Sequence, residues 1–278
     1  MKIEQLESRD LMATLADTLR SDFVAVVNDA SPNDAQMSII DNGQYNEQAY
    51  IDVDMSGVHH GPKSGTLVSP DIVVSAQHFG ALPNPITFIA PDGTKHVRNI
   101  VSAKLVPGSL DLRLSKLDSP LPNNIATYKL PDPDFNMGDV RTAPVLMLEQ
   151  NDNMHIGQIS PKAGIDAEYA TVIKDKGKFG KLYKDLVGGD SGHPGFFISQ
   201  GEPILATTWH FPQLGPYTGF HQEAIRETAR SLGSTYEIES VEWGVPSDYD
   251  AQKTSKGKGR FSAASVDNYF AQFSEDKV

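Results

Sequence analysis

The chain has 278 residues, a formal net charge of -12 and no cysteine. This length suits one large domain or two small ones, and an acidic chain is a poor ligand for a nucleic-acid backbone, which binds basic faces. The missing cysteines exclude a disulfide framework, a thiol nucleophile and a cysteine-ligated metal centre. We therefore expect no nucleic-acid partner. We also expect no membrane span, because the sequence has no run of about 18 apolar residues.

The N-terminal segment predicts an amphipathic helix, since four leucines between residues 6 and 19 recur near the helical period. We assign residues 1–22 to a leader or pro-segment. It lacks the apolar core of an ordinary secretory signal. Residues 6–13 read LESRDLMA and resemble a short N-terminal motif of surface proteins from some bacteria. We expect a secreted or cell-envelope location, and a cytoplasmic one stays open.

From about residue 23 to residue 220, short apolar runs alternate with turn signals such as Pro-Asp-Gly at 91–93. Many short strands with this punctuation predict an all-β fold of the sandwich or barrel kind. Long helical spans between strands are missing from the pattern, which argues against a parallel sheet. Residues 222–232 then predict a helix that ends at Gly233.

Three residues in local motifs carry the chemistry: His78 follows a predicted strand, Asp111 opens another, and Ser191 lies in a glycine-rich turn. A serine hydroxyl is a poor nucleophile at neutral pH and needs a neighbouring base, which histidine supplies. A buried aspartate on the far imidazole nitrogen orients that base. Each motif alone is weak evidence, since such residues also occur as structural turn and strand-end features. Their chain order His, Asp, Ser is one that builds a nucleophilic triad.

These motifs resemble landmarks of the chymotrypsin-like (trypsin-type) serine peptidase family, in the same order and over roughly residues 64–232. The matching segments are SAQHF at 75–79 (family TAAHC), DLRLSKL at 111–117 (DIALLKL), GGDSGHP at 188–194 (GDSGGP), ATTWHF at 206–211 (a strand ending S-W-G) and GPYT at 215–218 (G-V-Y-T).

The resemblance implies two antiparallel six-stranded β-barrels with the site in the cleft between them. Residues 23–125 would form the first barrel, with His78 and Asp111. Residues 126–233 would form the second barrel, with Ser191 and the C-terminal helix, and residues 234–278 would form a polar, largely flexible tail. The implied activity is that of a serine endopeptidase that acts on a protein or peptide substrate through an acyl-enzyme, without a cofactor.

The resemblance also implies an oxyanion hole formed by the backbone N–H groups of Gly189 and Ser191. The implied specificity pocket consists of Asp185, Thr208, Trp209, His210 and Gly215. An aspartate six positions before the nucleophile favours a basic P1 residue, although Asp185 as a solvated loop acid stays open. His210 replaces the wall glycine, so it would narrow the pocket or contact either Asp185 or an acidic side chain.

The sequence departs from the family pattern at several positions. His193 replaces the second glycine after the nucleophile, where we expect steric adjustment, and Phe79 stands where most members have cysteine. No family-like activation site precedes the first barrel, so Asp190 would need an internal cation, and Arg141 is our hypothesis for it.

Two other functions and one metal site are weighed beside the peptidase interpretation. One is a catalytically impaired, protease-like binding or scaffold module, and another is a non-peptidase esterase on the same barrels. The third, a metal site at His59-His60, is disfavoured because no further ligand falls at the right spacing, so we expect a loop dipeptide and no metal.

Overall fold

The computed structural model describes residues 37–38, 40–41, 44–45, 53–61, 63–109, 111–132, 143–160, 169–173, 184–210 and 214–241. The predicted N-terminal helix, Arg141 and most of the predicted C-terminal tail lie outside these residues. Within the described ranges, no helix is both long and apolar enough to cross a bilayer.

The described residues form short β-strands, one 3₁₀ turn at Gln77–Phe79 and one α-helix, α1, at Thr218–Ser231. The strands are β1 (Met37–Ser38), β2 (Ile40–Asp41), β3 (Gln44–Tyr45), β4 (Val58–His59), β5 (Gly65–Ser69), β6 (Ile72–Ala76), β7 (Ile86–Ile89), β8 (Lys95–Arg98), β9 (Ile100–Leu105), β10 (Leu112–Leu117), β11 (Ala143–Leu148), β12 (Asn153–Ser160), β13 (Tyr169–Ile173), β14 (Pro194–Ser199), β15 (Glu202–Thr208) and β16 (Leu214–Pro216).

The first sheet is antiparallel, with the strand order β4-β5-β6-β10-β9. Its strands β5, β6 and β10 are rich in β-branched and aliphatic residues, which suit a buried pleated surface. In the register of β6 against β10, Ala76 is opposite Leu112. His78 follows Ala76 by two residues and Asp111 immediately precedes Leu112. The pairing therefore brings His78 and Asp111 to the same end of two neighbouring strands.

The second sheet is also antiparallel, with the order β15-β14-β11-β12-β13-β16, and β1 adds to it by pairing with β12. The register of β14 against β15 sets Pro194 opposite Thr208. Beyond this pair, the Trp209 N–H donates to the His193 carbonyl at 2.9 Å, and the Gly192 N–H donates to the Trp209 carbonyl at 2.6 Å. This pairing continues to the turn that contains Ser191 and sets it beside residue 210.

The core has three parts. One lies within each sheet, and a third is shared by the two sheets and the helix. The shared part places buried residues from β10, β14, β15, α1 and the segment after α1 in one cluster, among them Leu112, Leu114, Phe196, Leu205, Ile225 and Ile238. Apolar burial of this kind stabilises by about 25 cal/mol per Å². The sheets are thus held together by packing, without any disulfide.

The predicted all-β class with antiparallel sheets and a C-terminal helix is confirmed. The domain boundaries stay a prediction. The helix begins at Thr218, four residues before the sequence indicated, because the Thr218 hydroxyl donates to the carbonyls of Leu205 and Ala206. This tertiary contact starts the helix at residues that have weak helix propensity. Gly233, at φ +84°, follows its end.

The beginning of the predicted polar tail is packed against the body, which corrects the expectation of flexibility for residues 234–241. Ile238 is buried in the shared core. Leu130 bonds to this segment twice, through its N–H to the Glu239 carbonyl and through its carbonyl from the Val241 N–H, each at 2.9 Å. The sequence interpretation missed this because the 45-residue segment is polar on average, and the average hid the apolar Ile238.

Candidate active site

His78 and Asp111 are joined by two hydrogen bonds at the open end of the first sheet. His78 Nδ1 lies 2.9 Å from Asp111 Oδ2, and the His78 backbone N–H donates to Asp111 Oδ1 at 2.8 Å. The Gln77 N–H binds the Asp111 carbonyl at 3.0 Å and fixes the chain on both sides of the carboxylate. The carboxylate thus orients both the imidazole and the 3₁₀ turn that carries it.

Asp111 is buried, and its carboxyl stays ionised because histidines surround it. Burial alone would raise the pKa, and hydrogen bonds and charge from His210 and His78 outweigh it, so the pKa of Asp111 lies below its ordinary value. An ionised carboxylate on Nδ1 favours the His78 tautomer with the proton on that nitrogen. Nε2 is then free to accept a proton.

Ser191 lies in a turn that presses against the first sheet beside His78. Gly192 has φ +78°, and a Cβ there would come within 2.8 Å of the Phe79 ring and 2.9 Å of the Ser64 carbonyl oxygen. Only glycine fits so close an approach at that backbone angle. Ser191 precedes Gly192 and His78 precedes Phe79 in the chain. The packing of Gly192 on Phe79 therefore places Ser191 and His78 on facing sides of the two sheets.

The Ser191 hydroxyl donates to the backbone carbonyl of His210 at 2.8 Å. Both side chains of the Ser191–His78 pair are described, and they form no hydrogen bond with each other in this arrangement. Catalytic hydrogen bonds are often long or misaligned without substrate and tighten when it binds. The contact between Asp111 and His78 is therefore in place, and a hydrogen bond from Ser191 to His78 would require the hydroxyl to leave the His210 carbonyl.

His210 contacts all three predicted triad residues. Its Nδ1 forms an ion-pair contact with Asp111 Oδ2, and its ring meets the His78 ring edge-on, with the ring centroids 4.8 Å apart. Its backbone carbonyl accepts a hydrogen bond from the Ser191 hydroxyl. The sequence interpretation had placed this side chain on the wall of the specificity pocket. The available signal was a bulky residue in place of glycine beside the nucleophile, but its contact with Asp111 depends on long-range strand register.

The turn before Ser191 has two backbone donors aimed at no protein acceptor. In the part of the chain that the structure describes, neither the Gly189 N–H nor the Ser191 N–H forms a hydrogen bond. Gly189 has φ +104°, and a Cβ there would come within 2.7 Å of the Gln150 side-chain carbonyl carbon. The backbone angle favours glycine, and an added Cβ would also have to displace the end of the Gln150 side chain. The turn can therefore present two N–H groups to a developing negative charge.

Asp190 is buried behind this turn and receives backbone N–H groups. The Val187 N–H donates to Oδ2 at 2.7 Å, and the Gln150 N–H donates to Oδ1 at 3.2 Å. Charge-assisted bonds of this kind stabilise a buried carboxylate. The proposed cation, Arg141, lies outside the described residues, so that pairing stays a prediction. Gln150 is a residue that the sequence interpretation missed.

His193 lies buried below the turn, with Nδ1 3.1 Å from the Asp190 carbonyl oxygen. Burial lowers the pKa of its imidazole, and the hydrogen bond and the charge of Asp190 oppose this only in part. His193 is therefore neutral at pH 7. An uncharged ring can stay in this apolar position without a counter-ion.

The residues predicted to line the specificity pocket differ in burial and in the part of the second sheet that they contact. Trp209 is 1% exposed and lies in the core of the second sheet, where its ring packs on Gly195. Thr208 is fully buried, and Gly215 packs closely on the Thr208 carbonyl. Asp185 is half-buried in the segment that leads to the Ser191 turn. A pocket formed by this set stays a prediction.

Two groups of histidines among the described residues bear on metal binding. The first is the His59-His60 dipeptide, which was predicted to lie in a loop but begins within β4, because His59 pairs with Gly65. His59 Nδ1 lies 2.9 Å from the Thr87 carbonyl oxygen and His60 Nδ1 lies 2.8 Å from Asp152 Oδ1. The second group is His78, Asp111 and His210, whose ligand atoms lie within 4.8 Å of one another. Sequence analysis did not identify this second group.

Comparison with known proteins finds similarity at the level of structure. No protein-family model matches the chain, and no curated protein sequence matches it. A solved structure of kallikrein-related peptidase 10 in complex with Zn²⁺ is similar to this chain, at 19% identity and a TM-score of 0.44. The similarity covers 61% of this chain and 90% of the kallikrein chain.

Proposed function

We propose that this protein is a serine endopeptidase that cleaves peptide bonds through an acyl-enzyme. Ser191 is the nucleophile, His78 is the general base and acid, and Asp111 orients His78. The observation that supports the proposal is the His78–Asp111 pair, in which one carboxylate binds both the imidazole and its backbone N–H. The turn that carries Ser191 packs beside this pair, through Gly192 against Phe79.

The reaction begins when the Ser191 hydroxyl turns from the His210 carbonyl toward His78 Nε2. His78 takes the proton as the oxygen attacks the scissile carbonyl, and the ionised Asp111 stabilises the imidazolium. His78 then donates the proton to the leaving amine. Water repeats the sequence on the acyl-enzyme and releases the second product.

The negative charge of the tetrahedral intermediate is stabilised by the N–H groups of Gly189 and Ser191. Their lack of protein acceptors supports this role, since preorganised donors contribute most where charge develops. The Asp190 carboxylate holds the turn in shape through Val187 and Gln150. The Arg141–Asp190 ion pair stays a prediction beside these two amide contacts.

A preference for Lys or Arg at P1 is the finer part of the proposal. Asp185 precedes the Ser191 turn and is half-buried, and its neighbour Lys184 pairs with the buried Glu149. Because the Lys184 ammonium pairs with Glu149, it is directed away from the neighbouring Asp185 carboxylate. Peptides that differ only at P1 (Lys, Arg, Glu or Phe) test this, and Asp185→Asn should lower kcat/KM for the basic pair only.

Intact-mass analysis after treatment with a fluorophosphonate probe tests the triad. We expect one adduct on the wild type and none on Ser191→Ala or His78→Ala. Ser102→Ala is the matched control, because Ser102 is exposed on β9, away from the site. Folded wild-type protein that gives no adduct, or an adduct that persists in Ser191→Ala, contradicts the proposal.

The second candidate function is a catalytically impaired, protease-like binding module. The hydrogen bond from Ser191 to the His210 carbonyl favours it, because this bond directs the nucleophile away from His78. The two candidates differ in probe reactivity. A module held permanently in this arrangement would bind peptides without forming an adduct.

A further inference from the structure

We propose that His78, Asp111 and His210 form a binding site for a divalent transition-metal ion of the Zn²⁺ class, and that the bound ion reversibly blocks the triad. The metal site rests on these three side chains alone. Its inhibitory consequence rests on the proposed function.

The donor atoms are close enough to share one ion. A nitrogen from each histidine and a carboxylate oxygen of Asp111 lie within 4.8 Å of one another. Both Nδ1 atoms face the same oxygen, Asp111 Oδ2. Ligands at about 2.0–2.2 Å from a tetrahedral zinc lie roughly 3.3 Å apart, so small side-chain movements would complete the set.

The chemistry of the donors selects the class of ion. Two imidazole nitrogens and one carboxylate suit Zn²⁺ and related first-row ions, with a fourth position left for water. Ca²⁺ and Mg²⁺ prefer sets made only of oxygen ligands. The second carboxylate oxygen, Oδ1, is held by the His78 backbone N–H at 2.8 Å, an outer contact that orients the ligand.

Two of the three side chains are buried and the third is accessible to solvent. Asp111 and His210 have side chains that are 3% and 11% exposed, whereas the His78 side chain is 38% exposed. An ion can therefore approach from the solvent-exposed side of His78. The ionised carboxylate below supplies the charge that compensates for its loss of water.

Metal binding at Nδ1 would disable the base for a specific reason. A neutral imidazole that coordinates through Nδ1 carries its proton on Nε2. His78 would then present an N–H to Ser191 where catalysis requires a lone pair. The ion would also replace the Asp111 contact that stabilises the imidazolium. Metal binding at these three residues would therefore prevent His78 from activating the Ser191 hydroxyl.

Titration calorimetry of Ser191→Ala with Zn²⁺ alone tests the site without any turnover. We expect one ion per chain, and at least about 10-fold weaker binding when His210→Ala is added. His60→Ala and His96→Ala in the same background are matched controls that should leave affinity unchanged. His210→Gln serves as a second variant in case His210→Ala does not fold, because it keeps a polar side chain of similar size.

The inhibitory consequence is tested on the wild type with the fluorophosphonate probe. We expect Zn²⁺ to stop adduct formation, EDTA to restore it, and Ca²⁺ to have no effect. No Zn²⁺ binding to Ser191→Ala, equal affinity with and without His210, or a loss caused by His60→Ala alone overturns the metal site. Binding of Zn²⁺ by a chain that never forms an adduct would keep the site and overturn the proposed peptidase.

Discussion

Gly189→Ala is the substitution that tests the proposed oxyanion hole most sharply. The residue has φ +104°, where a Cβ is strained by about 1–3 kcal/mol. The added carbon would also lie 2.7 Å from the Gln150 side-chain carbonyl carbon and 2.9 Å from its amide nitrogen. We expect the peptide to rotate to relieve both, which turns the Gly189 N–H away from the substrate.

Loss of one such donor costs about 2.7–4 kcal/mol of transition-state stabilisation, which is a fall of roughly 10²–10³ in rate. The assay is the second-order rate of fluorophosphonate labelling, measured by intact mass beside the urea midpoint of unfolding. A labelling rate within about threefold of the wild type, in a protein that folds, would refute the assignment of Gly189 to the oxyanion hole.

Gly201→Ala is the matched control for backbone strain. Gly201 has φ +82° in the turn between β14 and β15, and a Cβ there meets nothing within 4 Å. We expect a comparable loss of unfolding free energy, about 1–3 kcal/mol, with the labelling rate unchanged. Equal losses of rate in both variants would mean that the effect of Gly189→Ala is general destabilisation.

Three further predictions concern the triad and the stability of the fold. Asp111→Asn removes the charge on His78, and we expect labelling, followed by intact mass, to slow by about 10⁴-fold. Burial lowers the pKa of His221 from 6.5 to about 4, so its contribution to stability is complete above pH 6.5 and falls toward pH 4. Between pH 8 and pH 5, urea unfolding should show a loss for the wild type that is about 2 kcal/mol larger than the loss for His221→Gln. Other buried histidines, such as His193, contribute equally to both proteins. Ile238→Ala should lower the free energy of unfolding by about 2–4 kcal/mol, whereas the exposed Tyr236→Ala should change it by less than about 0.5 kcal/mol.

Local patterns were sufficient to predict the strands and the three candidate triad residues. His78, Asp111 and Ser191 each lie within a few residues of a strand whose apolar run is visible in the sequence. The register of β6 against β10 then brings two of them together. Such placement follows from short motifs because strand ends are fixed by the turns beside them.

Long-range contacts could not be predicted in the same way. The contact of His210 with Asp111 joins the two sheets, and no local signal gives their relative position. The same holds for Gln150 beneath Gly189 and for Ile238 in the shared core. In each case a side chain takes its role from a surface that is distant in sequence, which propensity and periodicity do not encode.

Cleavage of a mixed peptide library, followed by mass spectrometry, tests the central claim that Ser191 hydrolyses peptide bonds. The experiment compares the metal-free wild type with Ser191→Ala and with the exposed-serine control Ser102→Ala. We predict that the wild type and Ser102→Ala cleave the same set of peptides and that Ser191→Ala cleaves none. An intact library in the presence of wild-type protein that still forms the fluorophosphonate adduct would contradict the claim and favour an esterase or a binding module.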